Sequence, residues 1–168
     1  PKGATIEIDL NGKTITGIDN TEKNFEIIKN EGTLTLFGGG KLTVEATVNS
    51  GWNRYSAVIA NTVGGTLTVK GGVEIEHLGG TSMSYAIDVL TNGRGTSAVA
   101  VIDGATVKSP YRPIRQFLNG TDAVNSLTVK AGSVIKSTNG NKSIWMQDPS
   151  ANANTGSLVV EEGAELYG

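Results

Sequence analysis

The sequence predicts an all-β protein, a single-stranded parallel β-helix of about six coils with three short strands in each coil. Three observations predict it: a ten-residue pattern that recurs along the chain, a glycine at a fixed place within that pattern, and an apolar segment after each copy except the last. The composition agrees, because the 168 residues include 23 Gly and only 5% aromatic residues. This is typical of a chain with many turns and few large core side chains.

The first observation is the recurring pattern, which is clearest in TLTVKGGVEI at 66–75 and SLTVKAGSVI at 126–135. Within a copy the apolar residues alternate, which predicts a strand with one buried face. Like residues of successive coils should lie above one another, so we expect Leu67, Val99 and Leu127 to share one interior column. The six copies lie 28 to 33 residues apart and begin at Ile6, Leu34, Leu67, Val99, Leu127 and Leu158.

The second observation is the glycine, which marks a corner between two strands. A sharp turn at this place favours a backbone φ above zero, which glycine adopts without steric cost. The first copy differs by one residue and places Asn11 and Gly12 at its corner. In the other five copies the glycine stands five residues after the first apolar position: Gly39, Gly72, Gly104, Gly132 and Gly163.

The third observation is the apolar segment that completes each coil. These segments finish on Asn or Asp, residues whose side chains close a strand end by bonding to the backbone. One coil alone cannot bury its apolar face, whereas stacked coils enclose a continuous core. The five segments lie at 25–30, 56–61, 86–92, 114–119 and 143–148.

Two other structures compete with this prediction. A β-sandwich also has many short strands, but nothing in that fold requires strand, glycine corner and strand to repeat in register. A helix over 20–30, capped by Asn20 or Thr21, would take the third strand from the first coil. We expect one domain over 1–168 that is a section of a longer protein. Its uncapped ends would meet flanking domains of the same chain or form a homo-oligomer.

The composition excludes several classes of partner for this chain. The formal net charge of −2 and the pI near 5.4 argue against nucleic acid, whose phosphates require a basic excess. The chain has no Cys, so it has neither disulfides nor a thiolate metal site. No apolar run has the length of a membrane span. We expect no cofactor and no metal.

The residues IDLNGKTITG at 8–17, followed by turns of the LTVKGG type, resemble right-handed parallel β-helix segments of large bacterial surface proteins in the pectate-lyase-like superfamily. The resemblance covers essentially the whole chain, and its motifs describe shape rather than chemistry. It implies a right-handed coil and a non-enzymatic extracellular module: a rigid surface or adhesin segment, or a glycan-binding one. The implied location is extracellular or on the bacterial cell surface. Related helices in phage fibres, tailspikes and capsid-decorating modules make a virion the alternative.

A polysaccharide lyase or glycoside hydrolase fragment is the other alternative. The motifs implied for hydrolases of that superfamily, Asn-x-Asp, an adjacent Asp pair, Gly-His-Gly and Arg-x-Lys, do not occur. Asp88 and Asp103 lie in adjacent segments of one coil without matching carboxylates in neighbouring coils, although glycoside hydrolysis uses a pair of acids. His77 is the single His and is interpreted as a loop or strand-end residue. We predict no catalytic residues.

The most suggestive surface feature is a set of Tyr, Arg and Trp side chains close to the third strands. Because coils stack, these side chains could form one lateral strip. Aromatic rings pack on sugar faces, and Arg binds carboxylates or hydroxyls. The competing interpretation is that the rings cover the ends of the core where loops lengthen. The predicted glycan-binding residues are Trp52, Arg54, Tyr55, Tyr85, Tyr111, Arg112, Arg115 and Trp145.

Overall fold

The computed structural model describes residues 2–20, 23–47, 54–79, 82–149 and 153–168, and it confirms the all-β parallel solenoid. Three parallel sheets form its sides. The first sheet contains β1 (Thr5–Asp9), β4 (Thr33–Phe37), β7 (Thr66–Lys70), β10 (Ser97–Asp103), β13 (Val124–Val129) and β16 (Thr155–Val160). The second contains β2 (Thr14–Asp19), β5 (Gly40–Ala46), β8 (Val73–His77), β11 (Thr106–Ser109), β14 (Val134–Ser137) and β17 (Glu165–Tyr167). The third contains β3 (Phe25–Asn30), β6 (Ser56–Asn61), β9 (Ser84–Asn92), β12 (Ile114–Asn119) and β15 (Ile144–Gln147).

Five coils therefore have all three strands, and a sixth has two. The third strands agree with the predicted segments to within two residues at each end. The helix considered for 20–30 is wrong, because Phe25–Asn30 is strand β3 and pairs with β6. Pairing between neighbouring coils is preferred there because Ile28 lies opposite Ile59 and extends the core.

Apolar columns run through the interior from coil to coil. In the third sheet the column consists of isoleucines: Ile28, Ile59, Ile87, Ile114 and Ile144. In the first sheet one column contains Ile6, Leu34, Leu67, Ala100, Leu127 and Leu158. Leu67 and Leu127 are fully buried, as expected for the centre of this column.

The prediction for Val99 is wrong. Val99 pairs with Thr66 and Ser126 outside the column, and Ala100 stands between Leu67 and Leu127. The segment around it, SAVAVID at 97–103, is apolar at consecutive positions. A period of two then fails to indicate which face points inward, so the strand can be placed one residue out of phase.

The corner that follows absorbs this shift. Ile102 and Val107 are five residues apart, whereas their partners in the preceding coil, Val69 and Ile75, are six apart. The fourth corner is thus one residue shorter than the third. All the predicted corner residues adopt positive φ: Asn11 48°, Gly12 69°, Gly39 68°, Gly72 80°, Gly104 76°, Gly132 76° and Gly163 84°.

Asparagine closes third strands as predicted. The Asn30 Oδ1 atom accepts a hydrogen bond from the Gly32 N–H at 3.1 Å, and the Asn30 Nδ2 atom donates to Asn61 Oδ1 at 2.8 Å. Asn61 in turn donates to the Val99 carbonyl at 2.8 Å. These buried amides link the end of the first coil to the end of the second and to β10 of the fourth, where the chain passes from the third sheet to the first.

The inward columns are less covered in the first and last coils. Ile6 is 41% exposed and Leu158 is 38% exposed, whereas Leu67 in the same column is 0% exposed. The burial of each rung comes from the coils on both sides of it, as the stacking argument requires.

Candidate functional site

A buried ion pair lies on the outer face of the third sheet. Ile87 and Val89 belong to the core, so Asp88 between them points away from the core. Arg115 lies directly opposite Asp88 on the next strand. Its Nε donates to Asp88 Oδ1 at 2.9 Å and its Nη2 donates to Oδ2 at 2.6 Å. This two-point contact fixes both side chains, since Arg matches a carboxylate in geometry.

The guanidinium of Arg115 lies over two aromatic rings. Its Cζ lies 4.4 Å from the ring centre of Tyr85 and 4.6 Å from that of Phe117. The two rings hold the cation in place by cation–π attraction and exclude water from the pair. Asp88 and Tyr85 are fully buried, and Arg115 is 4% exposed.

A groove of about 710 Å³ crosses this outer face, and we call it the lateral groove. Arg115, Phe117 and Tyr55 line it beside polar side chains. Burial, with the charges of Glu26 and Asp88, raises the pKa of Tyr55 to about 12, so its phenol stays protonated and can donate. The polar lining consists of Asn24, Thr62, Asn92, Asn119 and Gln147, and the charged lining of Lys29, Glu31, Arg54 and Arg115.

A second buried ion pair lies at one corner of the lateral groove. The Nη2 atom of Arg54 donates to both carboxylate oxygens of Asp19, and its Nε donates to the Lys23 carbonyl at 2.7 Å. Arg54 is 8% exposed, and its buried Nη1 has no hydrogen-bond partner among the described residues. Within the described part of the chain, this donor therefore has no acceptor.

Three of the eight predicted glycan-binding residues, Arg54, Tyr55 and Arg115, line the lateral groove. Tyr85 lies beneath Arg115 and supports it. Trp52 lies outside the described residues. Their role in binding glycan stays a prediction.

The other three predicted residues lie outside the lateral groove. The guanidinium of Arg112 stacks on Trp145 at 3.9 Å from the ring centre, and its Nη1 donates to the Ser82 carbonyl at 2.8 Å. Tyr111 and Trp145 are half-buried and do not contribute to the lining. The predicted strip is thus divided into a groove and a separate Arg112–Trp145 stack.

Sequence reasoning missed the other twelve lining residues, among them Phe117, Asn92, Asn119 and Gln147. A signal for three of them was present, because they stand at the ends of third strands, and stacked coils bring such ends to one edge. Asn92 and Asn119 lie opposite each other, with Nδ2 of Asn119 3.4 Å from Oδ1 of Asn92. Gln147 lies opposite Phe117.

His77 ends strand β8, as predicted, and is fully buried. The Gly79 N–H donates to its Nδ1 at 2.8 Å, so the neutral ring carries its proton on Nε2 and donates to Ser56 Oγ, 2.8 Å away. Nε2 is therefore a donor and not a base towards Ser56, unlike a nucleophile–base pair. Burial lowers the pKa of His77 to about 4.

The carboxyl groups are spread over different sheets. Asp103 lies on the first sheet and pairs with Lys130 at 3.2 Å. Glu26 is half-buried on the third sheet, and burial followed by the charge of Asp88 raises its pKa, while Lys29 opposes this rise. Asp88 is thus the carboxylate whose negative charge acts on Glu26.

Within the described ranges, no three His, Asp or Glu side chains come together where they could hold a metal ion. In the same ranges no helix has the length and hydrophobicity to cross a membrane. Comparison with protein-family models, with curated proteins and with solved structures finds no match to this chain. The coil register and the side chains that line the lateral groove are therefore the features that indicate a function.

Proposed function

We propose that the chain is a non-enzymatic, extracellular β-helix module, a rigid surface or adhesin segment that binds glycan in the lateral groove. The observation that carries this proposal is the groove itself, because its volume of about 710 Å³ is within the usual range for ligand sites. The extracellular location and the pectate-lyase-like superfamily rest on the sequence resemblance. A virion fibre or capsid-decorating module would use the same groove.

The chemistry of the lining supports a sugar ligand. Tyr55 and Phe117 offer apolar ring surface, which suits the apolar face of a pyranose. The amide and hydroxyl side chains of the lining can both donate and accept, which suits ring hydroxyls. Paired strands hold Phe117, Asn92, Asn119 and Gln147, so these side chains lose little conformational freedom on binding.

The experiment is a glycan array followed by titration calorimetry with the best ligand. We expect Tyr55→Ala to weaken binding about tenfold or more, in line with the loss of an anchoring aromatic contact. Tyr167→Ala is the matched control, because Tyr167 is 48% exposed on the second sheet and should leave affinity unchanged. Equal affinity of the parent and the Tyr55 variant, or no bound glycan at all, would contradict the proposal.

A glycoside hydrolase fragment is the second candidate, favoured by the raised pKa of Glu26 beside Asp88. A general acid requires such a pKa, and a second carboxylate must be free to act. Asp88 is fully buried and held by Arg115 at both oxygens, which leaves it poorly placed for that role. New reducing ends from a bound polysaccharide, abolished by Glu26→Gln, would establish the hydrolase instead.

A further inference from the structure

The charges of the lateral groove are satisfied within the chain. Its three cations each have a carboxylate partner: Lys29 with Glu31 at 2.8 Å, Arg54 with Asp19, and Arg115 with Asp88 at 2.6 Å. Arg115 uses two guanidinium nitrogens on Asp88, so its fork is occupied. An acidic ligand would compete with these partners instead of meeting a free cation.

A further carboxyl group makes the groove less favourable for anions. The charge of Asp88 acts on Glu26, and the charge of Glu26 acts on Tyr55, which lines the groove. With Glu26 the three cations face four carboxyl groups. A carboxylate or sulfate entering the groove would meet repulsion that the paired cations do not offset, because like charges at short range repel strongly where water is partly excluded.

Two buried polar atoms of the lining are unused, and they differ in kind. Arg54 Nη1 can only donate, and Gln147 Oε1 can only accept, and neither has a partner among the described residues. They lie far apart along the third sheet, because Arg54 precedes β6 and Gln147 ends β15, and these strands are three strand spacings or about 14 Å apart along the axis. Both atoms are buried, so a ligand in the groove reaches them only when the Arg54 and Gln147 side chains turn outward; a ligand that both donates and accepts then satisfies them. Hydroxyl groups have this property.

The side-chain amides of Asn92 and Asn119, between Arg54 and Gln147, also suit a ligand that both donates and accepts hydrogen bonds. Asn92 and Asn119 stand side by side, and each carries one acceptor and two donors. Their mutual contact of 3.4 Å is long, so most of this capacity is available. Neutral hydroxyl or acetamido groups match such side chains, whereas a carboxylate offers acceptors alone.

From these contacts we infer that the ligand is a neutral oligosaccharide that lies across the third sheet from Arg54 to Gln147. This inference rests on the proposed glycan-binding function and defines its ligand class. It departs from the acidic polysaccharides on which pectate-cleaving β-helices act.

The test uses two sets of oligosaccharides of equal length on the whole chain. The neutral set contains cello-, xylo-, manno- and chito-oligosaccharides, and the acidic set contains oligogalacturonate, alginate and hyaluronan fragments. We expect binding of a neutral member with affinity that changes less than about twofold between roughly 50 and 300 mM salt, since no ion pair forms. Binding confined to acidic members, weakening with salt, would overturn the inference and leave the proposed function standing. Binding of neither set would overturn both.

Variants test whether the neutral ligand occupies the predicted path. Asn119→Ala and Gln147→Ala should each weaken its binding about tenfold, the usual effect of losing a partner to a desolvated polar group. Asn139→Ala is the matched control, because Asn139 is exposed on a turn after β14. Circular dichroism should show all three folded. Unchanged affinity in both groove variants would overturn the predicted path.

Discussion

Asp88 and Arg115 form a two-point ion pair across neighbouring strands while both side chains are almost completely removed from water. The guanidinium of Arg115 also contacts the rings of Tyr85 and Phe117 and lines the lateral groove, and Asp88 is fully buried behind it. Each member depends on the other, since a single buried charge without its partner is strongly unfavourable.

This dependence predicts the effect of breaking the pair. Asp88→Asn should lower the free energy of unfolding by about 3–5 kcal/mol, because it leaves the Arg115 guanidinium buried without a counter-charge. The double variant Asp88→Leu with Arg115→Met should be clearly more stable than Asp88→Asn alone, because both charges are removed. Urea unfolding at neutral pH measures both values. A double variant no more stable than the single one would argue against a dominant charge effect.

His77 predicts a dependence of stability on acidity. Burial lowers its pKa from the ordinary 6.5 to about 4, so between these values the unfolded chain binds a proton that the folded chain does not. The protonation of His77 therefore has no effect on the free energy of unfolding above about pH 6.5. As the pH decreases from 6.5 to 4, this free energy should fall by on the order of 3 kcal/mol.

The contribution of His77 is separated from that of the carboxyl groups by comparison with His77→Gln. The difference in unfolding free energy between parent and variant should shrink on going from pH 7 to pH 4.5. Since His77 is the single His, its ring proton resonances can be followed by NMR without assignment. A titration midpoint near 6.5 would contradict its burial.

The stacked core predicts that one substitution has different effects at two rungs of the same column. Leu127→Ala, at 0% exposure, should lower the free energy of unfolding by about 2–5 kcal/mol through lost burial and a residual cavity. Leu158→Ala, at 38% exposure in the last coil, should cost clearly less. Thermal and chemical unfolding of the two variants provide the measurement. Equal losses would mean that the column is not covered coil by coil.

A charge placed in the same core should lower the free energy of unfolding more than an exposed charge does. Val129→Asp places an unpaired carboxylate at a fully buried position and should cost several kcal/mol. The matched position is Val160, its neighbour in the last coil, which is 42% exposed. A Val160→Asp variant should remain folded under conditions that unfold Val129→Asp, as followed by circular dichroism.

Two glycines with positive φ predict different costs for the same substitution, because only one of them is crowded by a neighbouring coil. Gly64 and Gly72 have nearly equal φ values of 79° and 80°, but a Cβ on Gly72 would lie 3.3 Å from the Gly39 Cα, whereas a Cβ on Gly64 would contact nothing. Gly64→Ala should cost about 1–2 kcal/mol from the left-handed conformation, and Gly72→Ala should cost more. Calorimetric melting of both variants tests this order, and a more stable Gly72 variant would contradict close stacking of the corners.

The site was predicted only in part, and the reason is the range of the interactions involved. Arg54, Tyr55 and Arg115 were recognised from residue type, and they do line the groove. The burial of Tyr85 and the stacking of Arg112 on Trp145 depend on partners in a neighbouring coil. Side chains about thirty residues apart acquire neighbours only when loops of unequal length have been closed.

The sequence by itself determined the solenoid, its corners and the bounds of its third strands. These features follow from local physical chemistry: alternation exposes one face of a strand, and glycine permits the positive φ of a corner. The tertiary structure decided which face of 97–103 points inward and which outward side chains meet. An apolar run has no phase of its own, so the phase of Val99 and Ala100 was set by the rungs above and below, which bury Ala100 between Leu67 and Leu127.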